Sequence, residues 1–217
     1  MYKSIAIDGP AGAGKSTISK LLADKIGFNY LDTGAMYRAF TYFYLINNID
    51  INNEDKINNN IKSIKLTFKD NSFYLNNKNI NKEIRSDEVT KNVSLVSSYK
   101  KVREYLVSKQ REIASKSNII LDGRDIGSFV LKDASIKFFL TATPEERAKR
   151  RLIQNKESIK NFEKVLLDIN RRDNFDSTRK ISPLKKADDA IIIDTTHLSI
   201  DDTINLLIKL LEEKNVI

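Results

Sequence analysis

A glycine-rich segment near the start of the chain narrows the possible folds more than any other feature. Residues 9–16 read Gly-Pro-Ala-Gly-Ala-Gly-Lys-Ser, and Asp8 joins them to the apolar run Ile5-Ala6-Ile7. Apolar residues at helical spacing, among them Ile18 and Leu22, follow it. An apolar run that ends in Gly and Pro predicts a buried strand entering a tight loop, and the change of period predicts a helix after Gly14. Strand, glycine loop and helix in this order are typical of a phosphate-binding loop.

This motif carries a specific chemistry. Glycines allow successive backbone N–H groups to converge on phosphate oxygens, and the N-terminus of the following helix adds positive potential. The Lys15 ammonium can reach the β- and γ-phosphates, and the Ser16 hydroxyl can bind Mg²⁺. A chance Lys-Ser pair after a glycine-rich turn is the alternative, but it does not explain the flanking strand and helix. The residues expected to bind ATP are Gly9, Pro10, Ala11, Gly12, Ala13, Gly14, Lys15, Ser16 and Thr17.

Three later segments show the same strand pattern. Residues 118–122, 136–140 and 190–194 contain short, nearly continuous apolar runs. Thr143 and Ser199 are each followed three positions later by an acidic residue, which is typical of a helix start. Continuous apolar strands separated by helices indicate a parallel sheet that is covered on both faces. We therefore predict an α/β fold with a parallel-sheet P-loop core and helices on both faces.

The composition changes between residues 46 and 87, where asparagine is frequent. Apolar and polar residues alternate at residues 64–68 and 72–75, next to polar turns at Asp70-Asn71 and Asn76-Asn77. Alternation of this kind predicts strands with one solvated face. We expect a small antiparallel meander inserted into the α/β frame.

The composition also excludes several kinds of catalytic site. The chain has no cysteine and one histidine, so disulfides, thiolate metal sites and cysteine nucleophiles are absent and a Ser-His-Asp triad would need His197. No run approaches about 18 apolar residues, and no cationic start precedes a long apolar run, so we expect a cytoplasmic protein without a membrane partner. The formal net charge of +8 favours an anionic partner: nucleic acid, an anionic membrane surface or a small phosphorylated ligand.

The abundance of arginine indicates which kind of acceptor the site would use. A kinase acting on an alcohol often needs a base, whereas a phosphate has a second pKa of about 6 and is already nucleophilic at neutral pH. Its difficulty is repulsion between two anions, which arginine relieves by binding phosphate bidentately. The arginines near predicted element ends are Arg38, Arg103, Arg124, Arg147, Arg150, Arg151, Arg171, Arg172 and Arg179. This inventory favours a phosphate acceptor.

Further motifs follow the glycine loop along the chain. They are Leu31-Asp32-Thr33-Gly34-Ala35-Met36-Tyr37-Arg38, Glu83-Ile84-Arg85, Val102-Arg103-Glu104, Asp122-Gly123-Arg124-Asp125-Ile126-Gly127, and Arg171-Arg172-Asp173 leading to Asp176 and Arg179. With the loop, they make the chain resemble the bacterial cytidylate kinases, a family of nucleoside monophosphate kinases, over essentially its full length. The chain departs from that family at Thr33, where Ser is frequent, and at Phe175, where a charged residue is frequent.

The resemblance implies three parts. They are a core of residues 1–40, 95–145 and 185–217, a monophosphate-binding insert of residues 41–94, and a short helical lid of residues 146–184. Together they would form a single kinase domain of residues 1–217.

The resemblance also implies roles for individual residues. Those implied to bind CMP or dCMP are Thr33, Arg38, Ser94, Arg103, Arg124, Asp125, Arg172, Asp176 and Arg179. Those implied to act on the transferring phosphoryl group are Lys15, Arg124, Arg147 and Arg151. Within the first set, Arg38 and Arg124 would hold the α-phosphate. Ser94, Arg103 and Asp125 would recognise the cytosine edge, with Thr33 close to the base. Asp176 and Arg172 would bind the ribose hydroxyls, supported by Arg179.

Some of these residues have simpler explanations. Arg103 could be a solvated helix charge, Asp125 could cap a turn, and Arg150 could lie on the surface. Asp122 ends a predicted strand and is a candidate for binding Mg²⁺ through water, together with Ser16; the alternative is again a turn cap.

The predicted function is transfer of the γ-phosphoryl group of ATP to CMP and dCMP with Mg²⁺, by a monomer that has no nucleic-acid partner. A P-loop kinase for UMP, shikimate or dephospho-coenzyme A is the alternative among enzymes. A nucleic-acid-binding ATPase is the alternative from another class, but the segment from Arg147 to Arg179 has only two aromatic residues, Phe162 and Phe175, for stacking on bases.

Overall fold

The structure is a computed structural model that describes residues 2–69, 72–156 and 158–217. The chain divides into two compact units. The first unit comprises the chain up to Leu31 and again from Ala114, and the second unit runs from Asp32 to Ile113. The predicted turn at Asp70-Asn71 lies outside the described residues, and the functional division into core, insert and lid stays a prediction.

Strands and helices alternate along most of the chain. The strands are β1 (Ser4–Asp8), β2 (Asn29–Asp32), β3 (Leu66–Lys69), β4 (Ser72–Leu75), β5 (Lys78–Asn79), β6 (Ile119–Gly123), β7 (Ile136–Thr141) and β8 (Ile191–Asp194). The α-helices are α1 (Lys15–Ile26), α2 (Thr33–Ile46), α3 (Glu54–Asn60), α4 (Asp87–Val96), α5 (Lys100–Ala114), α6 (Pro144–Asn155), α7 (Phe162–Thr178) and α8 (Ile200–Glu213). Short helical turns lie at Ile61–Ser63, Glu83–Arg85, Ile126–Val130 and Ile159–Asn161.

A five-stranded sheet forms the centre of the first unit, in the order β2-β6-β1-β7-β8. Strand β1 pairs in parallel with β6 and β7, and β7 pairs in parallel with β8. The central strands are largely buried because helices cover the sheet, and Ile5, Phe138 and Leu207, each 0% exposed, belong to the resulting core. In an open α/β sheet, ligands bind outside the carboxyl ends of the strands. For β1 and β6 these ends are the glycine loop and the segment that begins at Arg124.

Local signals set the helix ends as the sequence predicts. Gly27 ends α1 in the left-handed conformation, with φ of 70°. The Thr143 hydroxyl accepts a hydrogen bond from the Glu146 amide at 3.3 Å and begins α6. Ser199 begins α8 through a complete capping box with Asp202. The predicted α/β fold is confirmed.

The second unit contains a three-stranded antiparallel sheet in the order β3-β4-β5. Phe68 and Phe73 are cross-strand partners whose ring centroids lie 4.8 Å apart. Asn76 and Asn77 form the turn between β4 and β5 with positive φ angles of 50° and 67°, which asparagine tolerates better than most residues. The predicted meander is confirmed. Within the described residues, no helix is both long and apolar enough to cross a membrane.

Candidate active site

The glycine loop connects β1 to α1 in a conformation that requires glycine at two positions. A Cβ atom at Gly9 would lie 2.0 Å from the Leu140 carbonyl oxygen on β7. Gly12 has φ of 78°, and a Cβ there would lie 3.1 Å from the Cβ of Arg147. The loop is therefore packed against β7 and α6 closely enough that its backbone N–H groups hold a fixed direction.

Lys15, the first residue of α1, is buried with 6% of its surface exposed. Its ammonium donates a hydrogen bond to the Pro10 carbonyl oxygen at 2.8 Å, which folds the side chain back over the loop. Burial lowers the pKa of Lys15 to about 7, and the positive charge of Arg124 acts in the same direction. A buried ammonium of this kind gains stability from an anionic ligand.

Asp122 joins the end of β6 to the loop. Its two oxygens accept hydrogen bonds from the Ser16 hydroxyl at 2.8 Å and the Tyr30 hydroxyl at 2.9 Å. Asp122 is 3% exposed and lies within β6. The sequence indicated Asp122 and Ser16, but it gave no signal for Tyr30.

Arg147 on α6 is buried against the glycine loop. Its guanidinium donates to the carbonyl oxygens of Ala142 at 3.0 Å and Ala11 at 2.9 Å, and it forms an ion pair with Asp173 on α7. Asp173 also accepts a hydrogen bond from the Ala11 amide at 3.1 Å. These contacts fasten α6 and α7 to the loop. Arg151, one turn further along α6, is half-buried.

Arg150 is half-buried and is held in place by neighbouring residues. Its guanidinium donates to the Thr195 hydroxyl at 2.9 Å, the Thr195 carbonyl oxygen at 2.6 Å and the Glu146 carboxylate at 3.0 Å. His197, two residues after Thr195, is exposed.

The segment after β6 brings two ion pairs together. Arg124 donates through Nε to the Asp176 carboxylate at 2.9 Å. The Arg179 guanidinium lies 3.7 Å from the Asp125 carboxylate, and both side chains are nearly buried. Arg124 and Asp125 thus contact residues of α7 or its end, where the sequence predicts the ribose-binding group.

Arg172, on α7, has a buried donor with no partner. Its Nε atom makes no hydrogen bond to any described residue. Burial lowers the pKa of Arg172 to about 10, and the nearby charge of Arg124 adds to this effect. Since buried polar groups are normally paired, this nitrogen is suited to a polar ligand.

In the second unit, Arg38 on α2 is held by residues of one short stretch. Its guanidinium, 8% exposed, donates to the Thr90 hydroxyl at 2.8 Å and the Ile84 carbonyl oxygen at 3.2 Å. Asp32 begins α2 by accepting a hydrogen bond from the Ala35 amide at 2.8 Å, and it forms an ion pair with Arg85. The start of α2 and the stretch from Ile84 to Thr90 are therefore fixed together.

The other predicted residues of the second unit lie on three helices. Thr33 is the first residue of α2 and is buried. Arg103 on α5 is 2% exposed, so it is not a solvated helix charge. Its guanidinium lies 5.4 Å from the centre of the Tyr37 ring and donates to the Ser97 carbonyl oxygen at 3.3 Å. Ser94 is half-buried on α4.

Asp8 is a buried carboxylate that the sequence analysis did not single out. It ends β1, directly before Gly9, and accepts hydrogen bonds from the amides of Ile126 and Gly127, each at 2.8 Å. Thr90 and Tyr30 were likewise missed, because their partners are far away in the sequence, and Asp173 was given no role although it lies in a motif.

Taken together, these features define a class of protein. They include a phosphate-binding loop at the carboxyl end of β1, a buried lysine, a hydroxyl–carboxylate pair and several buried arginines. This combination is typical of a P-loop kinase. A solved shikimate kinase from Bacteroides thetaiotaomicron supports the fold. It superposes with a TM-score of 0.50 over 97% of this chain and 98% of its own, at 13% sequence identity.

The comparison of sequences gives the particular family. The family model described as cytidylate kinase matches residues 5–213. The cytidylate kinase of Clostridioides difficile strain 630 is 52% identical over 92% of this chain and 94% of its own. That of Alkaliphilus oremlandii strain OhILAs is 51% identical over 97% and 98%. The chain belongs to the cytidylate kinase family, phosphotransferases that use ATP to phosphorylate CMP and dCMP, and the predicted family and activity are confirmed.

Proposed function

We propose that the protein transfers the γ-phosphoryl group of ATP directly to the α-phosphate of CMP or dCMP, in one in-line step. An acceptor oxygen forms a bond to the γ-phosphorus as the bond from that phosphorus to the β,γ-bridging oxygen breaks, which gives ADP and CDP or dCDP. No general base is needed because the acceptor phosphate, with a second pKa of about 6, is largely ionised at pH 7. The roles of individual residues below belong to the same proposal.

On the donor side, residues 9–17 hold ATP. The amides of the loop and the start of α1 bind phosphate oxygens, and Lys15 lies between the β- and γ-phosphates. Support comes from the buried ammonium, whose bond to the Pro10 carbonyl oxygen can be exchanged for a stronger one to an anion.

Mg²⁺ fits the oxygen pair formed by Ser16 and Asp122. The hydroxyl and carboxylate are hard oxygen donors 2.8 Å apart. Among the described residues, no cluster of three or more His, Cys, Asp or Glu could hold a metal ion, so most ligands would be phosphate oxygens and water, as is usual for Mg²⁺. When bound, the ion neutralises negative charge on the phosphates. Ser16 would ligate it directly and Asp122 through water.

On the acceptor side, Arg38 and Arg124 bind the α-phosphate. Both guanidinium groups are held by neighbours of their own unit, Arg38 by Thr90 and Arg124 by Asp176. A guanidinium that is already oriented loses little freedom when it binds phosphate.

Asp125 and Arg103 select cytosine, with Ser94 and Thr33 at the base. Cytosine has an amino donor at position 4 and acceptors at N3 and O2, so a carboxylate paired with a guanidinium is complementary to it. Uracil carries a carbonyl at position 4 and would face the carboxylate of Asp125. Burial of both Asp125 and Arg103 strengthens this discrimination.

The remaining arginines serve the sugar and the transferring group. Asp176 and Arg172 bind the ribose hydroxyls, with Arg179 beside them, and the unpaired Nε of Arg172 supports this assignment. Arg147 and Arg151 stabilise charge on the transferring phosphoryl group and close the lid over it, which excludes water.

The hydrogen bond between Ser16 and Asp122, beside the buried Lys15, is the observation that carries this proposal. It joins the two adjacent strand ends at which α/β proteins bind nucleotides. We further propose that the protein acts in the cytoplasm as a monomer on small molecules, without nucleic acid as a partner.

A panel of nucleoside monophosphates with ATP and Mg²⁺ tests the proposal. We expect the highest kcat/KM with CMP and dCMP, and a decrease of about 100-fold or more for Lys15→Ala, because a charge that stabilises the transition state is removed. Asp125→Ala should lower the preference for CMP over UMP by about tenfold or more. Both are measured by coupled ADP release.

Asp24→Ala, an exposed aspartate on α1, is the matched control and should leave the preference unchanged. An unaltered CMP/UMP ratio in Asp125→Ala would disprove the assignment of that residue. Full activity in Lys15→Ala would disprove the assignment of the donor site.

A further inference from the structure

Asp8 is a buried carboxylate of the first unit. It is 3% exposed and ends the central strand β1, next to Ile7, which is fully buried. Burial raises the pKa of Asp8 to about 6, although hydrogen bonds from the amides of Ile126 and Gly127 act in the opposite direction. An ionisable group in such a place costs stability unless its partners compensate for it. The proposed chemistry assigns it no contact with a substrate.

The two hydrogen bonds of Asp8 hold one specific piece of backbone. Each oxygen accepts from one amide, Ile126 on one side and Gly127 on the other, both at 2.8 Å. These amides begin the helical turn Ile126–Val130, which Asp125 precedes. The backbone that carries Arg124 and Asp125 is thereby tied to the end of β1.

Packing on the other side of this turn leaves the backbone little room. A Cβ at Gly127 would lie 3.0 Å from the Cδ of Lys137 on β7. Lys137 is buried and is itself held by an ion pair with Asp189 at 2.8 Å. The turn is therefore close to Lys137, and the carboxylate of Asp8 accepts the hydrogen bonds of its first two amides.

Asp8 also stands next to the donor site. Gly9, the first residue of the glycine loop, follows it directly, and the close approach of Gly9 to Leu140 fixes that peptide. The backbone of Asp8 thus leads into the phosphate-binding loop, and its side chain holds the loop that carries Arg124 and Asp125.

We propose that Asp8 is a positioning residue for CMP binding, which fixes the loop from Arg124 to Gly127 relative to the start of the phosphate-binding loop. The inference rests on the proposed roles of Arg124 and Asp125. It predicts that loss of the second carboxylate oxygen weakens CMP binding much more than ATP binding.

Asp8→Asn tests the proposal, because asparagine keeps the volume but offers one acceptor oxygen instead of two. The amide nitrogen would then face one of the two N–H donors and leave it unsatisfied. We expect hydrogen exchange at the amide of Ile126 or Gly127 to become at least tenfold faster in the ligand-free protein. We also expect KM for CMP to rise about tenfold, while KM for ATP changes less than twofold.

Two controls separate this effect from others. Leu207→Ala removes a buried core side chain from α8, a helix without a proposed site residue, so it should destabilise the first unit but change neither KM. Arg124→Ala tests the underlying assignment and should raise KM for CMP by itself.

If Asp8→Asn does not fold, Gly127→Ala displaces the same amide by crowding Lys137 and should raise KM for CMP about threefold.

The outcomes are distinguishable. If Arg124→Ala raises KM for CMP but Asp8→Asn does not, the role of Asp8 is disproved and the proposed function stands. An equal rise in both KM values for Asp8→Asn, or the same split in Leu207→Ala, would also overturn it. If Arg124→Ala does not change KM for CMP, the role proposed for Arg124 is wrong. The proposal that Asp8 acts by positioning Arg124 is then wrong as well.

Discussion

Lys15 is the residue whose surroundings depart most from those of its ordinary type. Its ammonium is buried, and burial lowers its pKa from 10.5 to about 7 in the ligand-free protein. A triphosphate beside this ammonium favours the charged form and raises the pKa again. Binding of ATP is therefore coupled to uptake of a proton wherever the pH lies between the two pKa values.

The sign of this coupling gives a prediction. Above pH 7 Lys15 of the free protein loses a proton that it retains in the complex with ATP. The affinity for ATP therefore falls as the pH rises, by up to tenfold per pH unit. Titration calorimetry between pH 7.5 and 9, in buffers of different ionisation enthalpy, should show uptake of up to one proton. Lys15→Ala should bind more weakly and without this pH dependence. A pH-independent affinity of the unaltered protein would contradict the low pKa.

Residues differ in how far the sequence predicts their contacts. Lys15 and Ser16 lie in a motif whose spacing specifies their chemistry. Asp8 and Ile126 are 118 positions apart, and Tyr30 and Asp122 are 92 apart. Such pairs meet only because the strands order themselves in the sheet, and no local pattern records this order. The sequence therefore indicates candidate ligand-binding groups, but not the groups that hold them in place.

Helix α8 shows how a local signal acts on a whole element. The Ser199 hydroxyl accepts a hydrogen bond from the Asp202 amide at 3.0 Å and donates one to the Asp202 carboxylate at 2.6 Å. Leu207 and Leu211 on this helix are fully buried in the core. Because α8 completes that core, fraying of its first turn lowers the stability of the first unit.

Ser199→Ala should lower the free energy of unfolding by about 1 kcal/mol and Tm by about 2–4 °C. Ser199→Thr keeps a hydroxyl cap and should lose less than half as much. Since α8 contributes no proposed site residue, KM values should stay the same in both variants. Thermal unfolding followed by circular dichroism measures the effect, and equal Tm values for the two variants would contradict it.

The two strands that the sequence did not predict, β2 and β5, share a physical cause. The strands from Ser4, Ile119 and Ile136 are apolar runs in the middle of the sheet, the strand from Ile191 is an apolar run at its edge, and each was predicted within about one residue. Strand β2 was missed because its four residues, Asn-Tyr-Leu-Asp, contain no continuous apolar run, and it is buried only in its second half. Strand β5 has two exposed residues and forms by pairing with β4. Both depend on a neighbouring strand rather than on their own pattern.

At the scale of the whole molecule, part of the positive charge is already paired. Arg124 and Arg147 each have an aspartate partner on α7, and Arg179, at the end of α7, is paired with Asp125. The formal charge of +8 thus indicates an anionic ligand, but it does not show where that ligand binds. The proposed donor residues belong to the first unit, whereas the proposed CMP residues belong to both units.

This division predicts different patterns of hydrogen exchange for the two ligands. A non-hydrolysable ATP analogue should slow exchange mainly in residues 9–17. CMP should slow it in the first unit near Arg124 and Arg172, and also in the second unit near Arg38 and Arg103, because each proposed contact must break before its segment can open. At a ligand concentration 100 times Kd, binding stabilises the folded state by about 2.7 kcal/mol. This is enough to slow exchange about 100-fold in segments that can open only after the ligand is released.

UMP at the same concentration serves as the control and should protect less. Protection by CMP in one unit alone would show that the contacts assigned to the other unit are wrong, even if the enzyme phosphorylates CMP.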